Sequence, residues 1–74
     1  MTEREKYILE MMKKANALRK NWTREGEDEI WTMCDEWNRE HYDRDEIFMC
    51  EHEDDETGEV NGFYIEDDYW TFEY

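Results

Sequence analysis

Four side chains of metal-ligating type, Cys34, His41, Cys50 and His52, are the first candidates for chemistry in this sequence. Structural zinc sites draw their ligands from close pairs, two to four residues apart on a tight turn. Only Cys50 and His52 approach that spacing, and on a strand they would share a face, as Cys34 and His41 would on a helix. These are thiols and imidazoles at core or rim positions, and no metal site is assigned. The run Glu53-Asp54-Asp55-Glu56-Thr57-Gly58-Glu59 gathers oxygen ligands around a glycine. It lacks the alternating ligands, sixth-position Gly and distal Glu of an EF-hand loop. Paired carboxylates carry no signal either, because 23 Asp and Glu in 74 residues make close pairs unavoidable. General acid–base work needs a carboxyl enclosed in an apolar site, and a chain this short encloses little volume. With no nucleophile elbow, P-loop or Gly-rich dinucleotide turn, the expectation is a non-enzyme that needs no cofactor.

The acids speak through their distribution. The formal charge is −14, from 9 Lys and Arg against 23 Asp and Glu. Residues 1–24 hold seven bases (Arg4, Lys6, Lys13, Lys14, Arg19, Lys20, Arg24) against three acids, a local +4. Residues 25–74 hold only Arg39 and Arg44 against twenty acids, a local −18. A general adaptation to salt would not segregate the signs. Such a field repels nucleic acid and anionic membranes, attracts basic surfaces, and opposes compaction of the chain that carries it. A mean hydropathy of −1.32 with this charge is also the composition of disordered chains. Four Trp, five Tyr, three Phe and no Pro exclude that reading, since twelve rings can supply a core.

Regular elements must position these charges. Thr2 and Glu5 have capping-box spacing, and Ile8, Met11, Met12, Ala15, Leu18 and Trp22 follow at helical steps, predicting a first helix with one apolar face. Thr23 can cap a second helix, and Gly26 marks an uncertain boundary. From about Glu27, the residues Ile30, Met33, Cys34, Trp37 and His41 predict a second helix with an acidic back. Three β-rich runs follow, at residues 47–50, 60–65 and 69–74. Alternation places Phe48 and Cys50, Phe63 and Ile65, and Trp70, Phe72 and Tyr74 on the core face. The first hairpin turn is either Thr57-Gly58 or Asn61-Gly62. The expected fold is α+β: one domain over residues 1–74, with two N-terminal helices followed by a three-stranded antiparallel β-meander, ααβββ. Two cysteines are too few for a disulfide scaffold; they read as ordinary thiols, and a bridge between them stays open. No apolar run approaches the roughly 18 residues of a membrane span and no signal-peptide pattern opens the chain, so the cytosol is the expected location.

Geometry gives the acidic arrays a possible use. On the second helix Glu36 and Glu40 lie about 6 Å apart along the axis. On an extended strand Glu51, Glu53 and Asp55 would alternate to one side at about 6.6 Å. Both intervals are comparable to neighbouring phosphates along a nucleic-acid strand. In size, charge and aromatic content the chain resembles the small, acidic, phage-encoded inhibitors that imitate nucleic acid, including anti-CRISPR proteins, anti-restriction proteins and inhibitors of uracil-DNA glycosylase. The resemblance covers most of the chain but no motif, and the basic first helix departs from it. It implies an inhibitor in the host cytosol whose partner is a basic nucleic-acid-binding protein, such as a CRISPR effector nuclease, a restriction enzyme or a glycosylase, with no direct DNA or membrane binding. The expected partner contacts are Asp28, Glu29, Asp35, Glu36 and Glu40 on the helix, and Glu51, Glu53, Asp54, Asp55 and Glu56 in the strand-turn region. Tyr42, Tyr64 and Tyr69 are candidate anchors or core residues. The alternative is an acidic interaction partner, antitoxin-like or an adaptor, that does not mimic nucleic acid. Homodimerisation through the edge of residues 69–74 is compatible with either. The stripe Lys6, Lys13, Lys20 is expected to lie beside the acidic second helix or the sheet and offset its charge, or else to touch an acidic part of a mixed target.

Overall fold

The computed structural model describes residues 1–74. Thr2 closes the first turn as expected: its hydroxyl accepts from the Glu5 amide at 3.1 Å, and Glu5 accepts from the Thr2 amide at 3.3 Å. Helix α1 spans Glu3–Leu18 and buries Ile8, Met11, Ala15 and Leu18 on one stripe. It stops short of Trp22, because the amides of Arg19 and Lys20 turn back onto the carbonyls of Asn16 and Ala17 at 3.3 and 3.2 Å. Helix α2 spans Arg24–Glu40, beginning ahead of Glu27 because the Thr23 hydroxyl accepts from the Gly26 amide at 3.0 Å. Gly26 is a point of close approach. A Cβ there would lie 2.6 Å from Leu18 Cδ2, so its bare backbone lets the helices close near their junction.

Three strands follow, β1 (Met49–Glu53), β2 (Val60–Ile65) and β3 (Asp68–Thr71), in an antiparallel sheet of order β1-β2-β3. The architecture is the predicted ααβββ. Phe63, Ile65 and Trp70 from the sheet, with Ile47, join the buried stripe of α1 and Ile30 and Cys34 of α2 in one core. The register sorts the strands into cross-strand rows. Met49–Ile65–Asp68 and Glu51–Phe63–Trp70 lie on the helix side, and Cys50–Tyr64–Tyr69 and His52–Gly62–Thr71 on the other.

The phase of β1 and the length of the last strand are corrected, and the open choice of hairpin turn is resolved. Phe48 and Cys50 do not face the core; Ile47 is buried there and Phe48 is 55% exposed. The cause is Asn38, whose side-chain oxygen accepts from the Ile47 amide at 2.7 Å while its amide donates to the Ile47 carbonyl at 2.9 Å. This clamp sets Ile47 inward, and a one-residue change of phase exchanges every later side chain between faces. The pairing runs to Glu53, so the hairpin turn is Asp54 to Glu59, the longer loop through Thr57-Gly58, and Asn61-Gly62 lies inside β2. Asp54 organises that turn by accepting from the Glu56 and Thr57 amides at 2.8 and 3.0 Å, with Gly58 in the left-handed region at φ 74°. The last strand is also shorter than residues 69–74, although the Phe72 amide still reaches the Asn61 carbonyl at 2.8 Å.

Candidate interaction surface

The helices cover one face of the sheet and leave the other open. On the open face the His52 and Tyr69 rings stack, 5.1 Å between centroids and 14° between planes. They come from β1 and β3, which are not neighbours and so stand about 10 Å apart. In register His52 pairs with Gly62 and Tyr69 pairs with Tyr64, so the two rings meet on a diagonal across β2. Tyr64 completes the cluster at 5.3 Å from His52 and 5.8 Å from Tyr69. His52 Nδ1 lies 2.6 Å from the Asn61 side-chain oxygen, which fixes the imidazole plane. Tyr69 remains 55% exposed, so this is an aromatic patch facing solvent. Tyr42, the third candidate anchor, is exposed beyond the end of α2 and makes no contact with the cluster's rings.

The ten acids expected to contact a partner are divided among three places. Asp28, Asp35, Glu36 and Glu40 are exposed along the back of α2, with about 18 Å of axis between the first and last. Asp28 lines a shallow groove with Val60, which sets it near the turn end of the β1–β2 hairpin, whereas Glu40 lies at the opposite end of α2. Glu29 is committed internally: its carboxylate accepts from Lys14 at 2.6 Å, and that pairing raises the lysine pKa. Glu51 stands in the helix-side row beside Phe63, Glu53 follows a register shift after His52, and Asp55 and Glu56 lie in the turn. The expected alternation of Glu51, Glu53 and Asp55 on one side is therefore broken by a bulge and a turn. Asp54 lies in the same turn, and the amides of Thr57 and Glu56 hold its carboxyl below the ordinary carboxylate range, with His52 adding a smaller attraction. That leaves a carboxylate at the rim of the aromatic patch.

The bases are used differently from the acids. Lys6 and Lys13 pair with Glu3 and Glu10 on their own helix at 3.6 and 3.2 Å, not with α2 or the sheet as the stripe suggested. The joining is done by Arg4, Lys14 and Arg19. Arg4 pairs with Glu66 and donates to the carbonyls of Asp45 and Glu46 at 3.2 and 2.9 Å. Arg19 donates to the Tyr69 carbonyl at 3.2 Å with its guanidinium 5.5 Å from the Trp70 ring centroid. Of the 23 acids, the carboxylates of Glu3, Glu5, Glu10, Glu27, Glu29, Glu46, Asp54 and Glu66 have hydrogen-bond or ion-pair partners within the fold, and the other fifteen have none.

One acid the sequence reading passed over is structural. Glu27 accepts from the Trp22 and Trp31 indoles at 2.9 and 3.3 Å and from the Tyr74 hydroxyl at 3.3 Å, tying the helix junction to the last residues of the chain. Burial first, then the charge of Glu27, pushes the Tyr74 phenol up to about 12. The Trp22, Glu27, Trp31 spacing was available as a signal, but only a folded β3 brings Tyr74 to it. Both cysteines are free, and burial raises the Cys34 thiol, which suppresses its reactivity. No group of three or more His, Cys, Asp or Glu side chains is placed to hold a metal ion, and no helix is long and apolar enough to cross a membrane. No protein-family model matches the chain, and no curated protein or solved structure is significantly similar to it.

Proposed function

We propose that this chain acts by binding rather than catalysis, as an acidic nucleic-acid mimic that occupies the DNA-binding surface of a basic protein in the host cytosol. The observation that carries the reading is the unequal use of charge. Five of the nine bases are engaged by carboxylates or carbonyls of the same chain, while fifteen acids point outward unpaired. The field seen by a partner is thus more one-signed than the composition suggests. Carboxylates in such an array engage the Lys and Arg that otherwise hold phosphates. The unpaired acids on the back of α2 are the phosphate-like part.

The test is displacement. The immobilised chain is exposed to host extract at low salt, and bound protein is then challenged with duplex DNA. Release of a basic DNA-handling protein by the duplex is expected. A partner that stays bound under excess duplex contradicts mimicry and leaves the acidic adaptor or antitoxin-like reading.

A further inference from the structure

We infer that the open face of the sheet is where the basic partner is anchored, and that the occupant is an arginine side chain of that partner laid on the Tyr64, Tyr69 and His52 rings. The inference rests on the basic-partner reading above and adds the place and the residue type. The acids of α2 can steer a basic surface, but exposed charge pairs contribute little lasting affinity, roughly 0.2–1 kcal/mol each. Affinity comes from rings and guanidinium groups that lose water together. The cluster offers ring faces held in position: His52 is fixed by Asn61, Tyr69 is stacked on His52, and Tyr64 lies 5.3 and 5.8 Å from the two.

Charge complementarity selects the occupant. Asp54 stands at the rim of the patch, near enough to His52 to feel its charge and held ionised by the backbone of its turn, and residues 25–74 carry a net −18. A second copy would bring another −14 to the contact, and the β3 edge carbonyl of Tyr69 is already taken by Arg19. Single-stranded nucleic acid stacks on such rings elsewhere, but here its phosphates would meet that same field. A planar guanidinium stacks on an aromatic face while pairing with a carboxylate, which the compact ammonium of lysine does less well.

The experiment titrates the isotopically labelled full chain with an oligo-arginine peptide, an oligo-lysine peptide of equal length and an oligothymidylate, following backbone and ring resonances by NMR. The expected result is arginine binding about threefold tighter than lysine, with the largest shifts at Tyr64, Tyr69 and His52. The Tyr64→Ala/Tyr69→Ala variant should lose that preference and keep lysine-level binding, while Asp35→Asn/Glu36→Gln/Glu40→Gln should keep it. The mapping on the unaltered chain does not depend on either variant folding. Equal binding of both peptides with shifts on α2 overturns the sheet-face anchor and leaves the basic-partner reading standing. Absence of binding by both removes that reading and the anchor with it. Oligothymidylate shifting the same rings overturns the arginine assignment.

Discussion

The two faces of the sheet are built from alternate residues of the same three strands, yet they are spent on different things. On the helix side Phe63 and Ile65 are fully buried, and Trp70 nearly so, against the stripes of α1 and α2. On the open side Tyr64, Tyr69 and His52 form an aromatic cluster in which Tyr69 is exposed and the other two are half-buried. One face holds the fold together and the other presents rings to solvent. A chain carrying −14 has little stability to waste on exposed aromatics, so the contrast points to recognition.

Substitutions on each face should separate these uses. Phe63→Ala should be the most damaging, costing about 3–5 kcal/mol in urea unfolding through cavity formation; a loss below about 1 kcal/mol would mean the core is not organised around this ring. Gly62→Ala comes next. Its Cβ would lie 1.8 Å from the Trp70 carbonyl oxygen, so β2 and β3 must separate and the rings above must shift. The expected cost is about 1–3 kcal/mol, with altered His52 and Tyr69 resonances. Tyr69→Ala should cost less than about 1 kcal/mol, the range of a cross-strand pair, and a larger loss would make the open face structural. The smallest effect is alkaline. Because the folded Tyr74 phenol is pushed up to about 12 from 10.0, the fold favours its neutral form. Stability is untouched by this group below pH 10 and falls as pH rises from 10 towards about 12. Tyr74→Phe should show a shallower alkaline loss in urea titrations, and an identical slope would exclude the Tyr74 phenol as its source.

The same contrast explains what was legible in the sequence. The helices were, because Thr2 with Glu5 and the spacing of Ile8, Met11, Ala15 and Leu18 are local signals. Element order and the phase of β2 followed from Phe63 and Ile65 alternating around Tyr64. The phase of β1 was not legible, because Ile47, Phe48, Met49 and Cys50 are all apolar and present no alternation. A distant residue, Asn38, decides it. The choice between Thr57-Gly58 and Asn61-Gly62 as the turn stayed open because the role of Gly62, clearance for the Trp70 carbonyl of β3, exists only once β2 and β3 are paired. Acid-rich segments were visible as candidates for contact, but sequence could not show that Glu29 is bound to Lys14 or that Glu27 is an aromatic tie.

The central claim, that outward unpaired acids recruit a basic surface, is tested most directly by the association rate constant between the chain and its captured DNA-handling partner at increasing ionic strength. Attraction between exposed charges is screened beyond about 8 Å at physiological salt. The rate should therefore fall by at least about tenfold between low and high salt, with a smaller change in dissociation. A rate that does not change with salt would contradict the account.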